Sequence, residues 1–255
     1  MKVAILAGGF GTRLAELTEV VPKPMVDIGG FPILWHIMQM YAAYGFKDFV
    51  VALGYKGDVI RSYFENYAQV DSKAQVNVSG SVVTIRNAKN EFWNITLVDT
   101  GEKTMTGGRL LRLKPFLDKE TFMLTYGDGV SDVDIHRLLA FHHQHNKKVT
   151  VTAVNPTSKY GKLSIENDLV LQFSEKPTFV DEWINGGFFV MHPDVIDLIA
   201  SDATVLEREP LEVVAKQRQM VAFKHQGFWH CMDTLRDKQE LTALWQNNQA
   251  HWKKW

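Results

Sequence analysis

A chain of 255 residues, 45% hydrophobic and 22% charged, has the make-up of an ordinary globule, enough for one α/β domain or two small ones. A formal net charge of −1 excludes any global pull toward nucleic acid or an anionic membrane, so phosphate binding has to be local. The single cysteine, Cys231, excludes an internal disulfide, and no run reaches the roughly 18 apolar residues of a membrane span. Arg13 stands where a secretory cleavage site needs a small residue, so the expected location is the cytoplasm, with neither nucleic acid nor membrane as partner.

In chain order, residues 3–6 (VAIL) read as a buried parallel strand. A glycine-rich loop follows, then a helix over 33–44 with apolar residues at helical spacing, stopped by Gly45. A strand at 49–53 and a helix at 57–67 continue the alternation. Residues 68–92 break it; 76–85 read as a polar hairpin, an excursion from the core with no chemistry attached. Strands at 95–99 and 121–126 flank a helix at 107–117, and a helix at 134–145 leads to a strand at 149–154. Two strands flank Glu166-Asn167-Asp168, another covers 183–191, and helices are expected near 193–200 and 207–218. Late strands at 219–225 and 228–232 precede a final helix at 234–247, with Asp233 or Thr234 as its cap. The alternation predicts a Rossmann-like α/β fold: a mixed, mainly parallel sheet flanked by helices, in one domain over 1–255. Within it, about 1–130 and about 131–255 form two halves on the same sheet.

The chemistry concentrates at the front. Ala7-Gly8-Gly9-Phe10-Gly11-Thr12-Arg13 follows the first strand, and glycines so dense mark positive φ or close approach of a ligand. Backbone amides there can face phosphate oxygens, Arg13 can bind them bidentately, and Pro22 and Pro24 restrict where Lys23 points. A dinucleotide fingerprint needs a third glycine where Leu14 stands, and the ATP-type loop needs Gly-Lys-Ser/Thr; both are absent.

LAGGFGTRL followed by PKPM resembles the signature of the sugar-1-phosphate nucleotidylyltransferases. Residues 93–101 (WNITLVDTG), 105–109 (MTGGR), 126–129 (YGDG), 227–229 (GFW) and 232–237 (MDTLRD) resemble its glucose-1-phosphate cytidylyltransferase branch, and the likeness runs the length of the chain. The resemblance implies a nucleotidyltransferase-type fold, CTP and glucose 1-phosphate as substrates, CDP-glucose and pyrophosphate as products, and Mg²⁺ as cofactor. It further implies a homo-oligomer, a hexamer among the options, serving deoxysugar synthesis for bacterial surface polysaccharide such as O-antigen.

Because the attacking phosphate is already an anion, such a reaction needs countercharge and alignment rather than a nucleophilic side chain. On the resemblance, Arg13 and Lys23 hold the triphosphate, and Lys176 neutralises the attacking phosphate. Leu6, Ala7, Gly8, Gly9, Phe10, Gly11 and Thr12 approach the nucleotide, with Thr106 and Arg109 near its base. Asp128, between two glycines at the end of a strand, also faces the nucleotide and shares the metal with Asp233. Tyr160, Gly161, Glu175, Asn185 and Gly186 would complete the sugar-phosphate side, which makes about 1–130 the nucleotide-binding half and about 131–255 the sugar-phosphate-binding half. The chain departs from the resemblance at 155–159 and at His230-Cys231, which stands where the family has a Gln-Pro pair; both lie on the sugar side.

Other signals are read structurally. His142, His143 and His145 lie on one helix without the spacing of a closed metal shell and read as a solvated helix end. Cys231 reads as packing, since no step needs a thiol nucleophile, and the seven tryptophans read as core and interface, Trp252 and Trp255 packing onto the domain.

Overall fold

Strand β1 (Val3–Leu6) carries no polar side chain because both its faces are covered: Val3 and Ile5 enter one hydrophobic core, Ala4 and Leu6 the other. The structure, a computed structural model, describes residues 1–86, 92–117, 119–155, 162–174 and 182–255; for residues 13, 15, 16, 162–165, 173 and 174 it describes the backbone alone.

After β1 come a single helical turn, α1 (Ala15–Thr18), and a tight hairpin of β2 (Asp27–Ile28) and β3 (Phe31–Pro32). Helix α2 (Ile33–Ala43) is nearly all apolar and nearly all buried, and Gly45 ends it at φ +86°. Strand β4 (Asp48–Leu53) and helix α3 (Gly57–Glu65) follow. Strands β5 (Gln75–Ser79) and β6 (Val82–Arg86) form the expected hairpin, but it is no excursion: β6 pairs antiparallel with β7 (Phe92–Asp99) and buries Val83 and Ile85. The single helix expected at 107–117 is two, α4 (Thr106–Arg112) and α5 (Lys114–Leu117).

Strand β8 (Phe122–Tyr126) and short β9 (Gly129–Ser131) precede α6 (Ile135–His145), capped by the Asp134 carboxylate on the Arg137 amide. Then come β10 (Val149–Val154), the ribbon of β11 (Lys162–Glu166) and β12 (Leu169–Ser174), and β13 (Ile184–Met191). The stretch read as a helix near 193–200 is a 3₁₀ segment, Pro193–Leu198. Helix α7 (Glu209–Lys216), β14 (Met220–His225), β15 (Trp229–Cys231) and α8 (Leu235–Gln246) complete the chain.

Among the described residues the main sheet has nine strands in the order β14-β10-β13-β8-β1-β4-β7-β6-β5. The pairings leave only β13 and β6 opposed to the common direction, a mixed and mostly parallel sheet. Helices α2, α3, α6 and α8 cover one face, and α4, α5 and α7 the other. The chain leaves β1 toward β4 on one side and later returns to its other side as β8, so the order reverses at β1. In such sheets the ends of the strands diverge at that point and leave a crevice beyond their carboxyl ends.

Trp252 is fully buried against the face that α2 covers, within ring contact of His36, Phe228 and Trp245. Trp255 packs on Trp35 and Trp245, so both terminal tryptophans lie on the domain. His142 is not solvated: it is buried, its Nδ1 is 2.9 Å from Thr150 Oγ1, and burial pushes its imidazole down to about 4. Its neighbours His143 and His145 are exposed.

Candidate active site

The crevice at the β1–β8 reversal is a cleft of about 400 Å³. Its walls are Leu6, Ala7, Gly8, Gly9, Phe10, Gly11 and Thr12 after β1, Lys23 and Pro24, the segment 103–106 with Arg109, and Tyr126-Gly127-Asp128 after β8. Gly127 is glycine because a Cβ there would sit 3.0 Å from the Pro24 ring and 3.2 Å from the Leu6 carbonyl, and its amide donates to that carbonyl at 3.1 Å. The close approach holds the Asp128 loop against the end of β1.

Two strands too short to have much stability alone bring the carboxylates together. β9 pairs antiparallel with β15, placing Cys231 opposite Gly129, and the Met232 amide donates to the Asp128 carbonyl at 2.8 Å. Asp233 follows at once. It is not the helix cap. Thr234 caps α8, its hydroxyl accepting from the Asp237 amide, while the buried Asp237 carboxylate accepts from the Asp233 amide, the Thr234 amide and the Thr234 hydroxyl. With capping done by its neighbours, the Asp233 side chain is left to face Asp128.

Between them lies Lys23. Its Nζ is 2.6 Å from Asp128 Oδ2 and 2.7 Å from Asp233 Oδ1, in a 3₁₀ turn entered from Pro22 at φ −65°. Burial pulls the ammonium down, but Asp128 and Asp233 more than offset it and leave its pKa above the usual lysine value. Donor atoms of Asp128, Asp233 and Cys231 all lie within 4.8 Å of one another. Two carboxylates converging on one cationic centre fit a hard divalent ion completed by phosphate and water oxygens. Cys231, read from sequence as packing, therefore belongs to the site's edge.

Arg109 lines the cleft with Thr106, and its guanidinium is held by backbone. It is 4% exposed, and its guanidinium donates to the carbonyls of Gly8 (2.8 Å), Leu53 (3.1 Å), Gly101 (2.8 Å) and Glu102 (3.1 Å) and to Thr100 Oγ1 (2.8 Å). Burial, then Arg112, lowers its pKa. Arg109 ties the glycine loop to the ends of β4 and β7. A Cβ on Gly8 would sit 2.1 Å from its Nη1, so glycine there answers to Arg109, whereas Gly9 opens onto free space and Gly11 holds φ +65°.

At the start of β13, Asn185 Nδ2 donates to Tyr126 Oη at 3.3 Å, and Gly186 is buried with its carbonyl accepting from Trp229 Nε1 at 2.7 Å. The Tyr126 hydroxyl donates to Glu207, which also accepts from Thr106 at 2.6 Å. Tyr126 stands in the YGDG motif, but Glu207 carries no local motif; only the packing of distant segments reveals the bond between them. Tyr160, Gly161, Glu175 and Lys176 lie outside the described residues, as does the side chain of Arg13.

The nucleotidyl transferase family model matches residues 2–250. The chain belongs to that family. It is 52% identical over 256 residues to a glucose-1-phosphate cytidylyltransferase of Salmonella typhi, all of both chains being covered. It is 41% identical, again over all of both, to a probable glucose-1-phosphate cytidylyltransferase of Bacillus subtilis. A solved UDP-glucose pyrophosphorylase in complex with UDP-glucose is 16% identical, with a TM-score of 0.69 over 97% of this chain and 98% of that one, and shows the shared fold. No helix among the described residues is long and apolar enough to cross a membrane.

Proposed function

We propose that this chain is a glucose-1-phosphate cytidylyltransferase, joining CTP and α-D-glucose 1-phosphate into CDP-glucose and pyrophosphate. The observation that carries the reading is the convergence of Lys23, Asp128 and Asp233 at the mouth of the glycine-walled cleft. Full-length similarity to curated cytidylyltransferases supports the choice of substrates.

The sugar phosphate attacks the α-phosphorus in line with the leaving pyrophosphate; no covalent intermediate forms on the protein. The glycine loop admits the triphosphate, with Arg13 and Lys23 as its countercharges, and Lys176 serves the attacking phosphate. Arg109, by holding the Gly8 carbonyl, keeps the loop in the shape the nucleotide meets. Glu175 and Asn185 address the sugar hydroxyls, with Tyr160, Gly161 and Gly186 giving backbone approach. Asp128 and Asp233 would hold Mg²⁺, whose contribution when bound is neutralisation of phosphate charge. Cytoplasmic placement and a homo-oligomer, a hexamer among the options, belong to the same reading.

The test is a matrix of CTP, dTTP, UTP and GTP against glucose, mannose and galactose 1-phosphates, scored by pyrophosphate release with Mg²⁺. CTP with glucose 1-phosphate is expected to give the highest kcat/KM. Preference for another triphosphate removes the cytidylyl assignment.

A further inference from the structure

We propose that Glu207 is a positioning residue that sets both walls of the cleft at once, as the common proton acceptor for Thr106 on the nucleotide side and Tyr126 on the sugar side. This rests on the cytidylyltransferase reading above.

The segment before α7 is clamped to the start of α4 by backbone contacts. The Met105 amide donates to the Asp202 carbonyl at 2.8 Å and the Gly107 amide to the Thr204 carbonyl at 3.0 Å, which supplies partners for amides that a helix start leaves open. A Cβ on Gly107 would sit 2.7 Å from the Thr204 carbonyl, so the approach needs glycine. The clamp delivers the Glu207 carboxylate between two hydroxyls. Thr106 Oγ1 donates to Oε2 at 2.6 Å, and the Tyr126 hydroxyl donates to Oε1. On the far side the Tyr126 ring lies across β13, where a Cβ on Gly187 would be 2.7 Å from it and where Gly187 holds φ +81°.

A carboxylate only accepts, and each hydroxyl has one proton. The direction of every bond in the chain follows. Tyr126 gives its proton to Glu207 and must accept from its other neighbour, so Asn185 turns its Nδ2 toward it, at 3.3 Å, and its Oδ1 toward the Gly187 amide, at 2.8 Å. The amide that faces the sugar phosphate is thereby fixed in one of its two flips. Burial first, then Glu207, raises the Tyr126 pKa and keeps the phenol proton in place. Thr106 likewise gives its proton to Glu207 and accepts from the Leu206 amide at 2.9 Å. Toward the cleft it offers an acceptor alone, so the nucleotide group that meets it carries a hydrogen, as an exocyclic amine or a ribose hydroxyl does.

The test is steady-state kinetics with CTP and glucose 1-phosphate, beginning with the wild type. Absence of turnover there overturns the cytidylyltransferase reading; the inference about Glu207 is judged on the variants of an active enzyme. Glu207→Gln, which puts an NH₂ against one of two donors, is expected to raise KM for both substrates about tenfold while kcat stays within about threefold. Tyr126→Phe should raise KM for glucose 1-phosphate alone and Thr106→Val that for CTP alone, with Thr106→Ser restoring it. These single-arm variants keep the carboxylate and read the two arms even where Glu207→Gln folds poorly. Unchanged KM values, or a fall in kcat with both KM values intact, would overturn the proposal, the latter being the mark of a scaffold contact only.

Discussion

Replacing Lys23 by methionine keeps the bulk of its stem and removes the charge that separates Asp128 from Asp233. Removing one partner of a fully buried ion pair costs about 3–5 kcal/mol, because the remaining charge has lost both water and counterion. Here the two carboxylate side chains keep 26% and 19% exposure and Lys23 10%, so water reaches the orphaned pair and the cost is discounted to about 2 kcal/mol. For a domain of this size that is a melting temperature lower by about 4–8 °C in chelator-treated protein. A divalent ion meets a formal charge of −2 in the variant and −1 in the wild type, where Lys23 competes for the same oxygens. Binding should therefore tighten about tenfold or more, adding about 1.4 kcal/mol of stabilisation at saturating ion. The assay is differential scanning calorimetry with EDTA and across a Mg²⁺ titration. The ion is expected to raise the melting temperature of Lys23→Met more than that of the wild type, while turnover falls at least about 100-fold because the triphosphate has lost a fixed cation. Equal melting temperatures in EDTA, or an ion-dependent shift no larger in the variant, would refute the reasoning.

Asp233→Asn should leave α8 intact, since Thr234 and Asp237 do the capping, but abolish the ion-dependent shift in melting temperature; a loss of helicity by circular dichroism would show the capping assignment to be wrong. Gly8→Ala must displace the Arg109 guanidinium, so Gly8→Ala and Arg109→Met should each cost about 2–4 kcal/mol in denaturant melts and combine far less than additively. His36 is fully buried and pushed by burial down to about 4, its Nε2 donating to the Ile28 carbonyl and its Nδ1 accepting from Trp252 Nε1. The unfolded chain takes up a proton below about pH 6.5 while the folded one does not, so stability is complete above that pH and falls toward pH 4 by about 3 kcal/mol in all. Urea melts of His36→Gln should lose about 1.4 kcal/mol per pH unit from the acid slope in that window.

What the sequence discloses follows from how local each signal is. The strand at 3–6, the glycine loop and Pro22-Lys23-Pro24 are contiguous, and each residue's role depends on neighbours a few positions away, so that stretch can be read directly. The hairpin at 76–85 looks like an excursion because its exposed face is polar, yet the alternating Val83 and Ile85 are the pattern of a strand that buries one side. Arg109 shows the limit more sharply. Its motif points toward the nucleotide, and that its guanidinium is also surrounded by four carbonyls and a hydroxyl is recognisable only once three segments far apart in sequence close around it. Glu207 left no trace at all: an acidic residue ahead of an amphipathic helix looks like surface charge until the Thr106 and Tyr126 hydroxyls are found on it.

The placement of Lys23 bears on how a site built from countercharge avoids collapsing on itself before substrate arrives. Two carboxylates facing each other in a half-buried crevice repel, and that repulsion works against the β9–β15 junction that brings them together. Lys23 answers that by lying between them. The same three groups sum to −1, the wrong sign for the triphosphate that the proposed function brings to them. On the proposed function, Asp128 and Asp233 would hold a divalent ion that brings the sum to +1, and Lys23 would then serve the triphosphate. Lysine suits this exchange better than arginine, because a compact ammonium on a flexible stem can change partners without a planar fork to reorient. The prolines on either side restrict the backbone at Lys23 and leave the side chain as the part that moves.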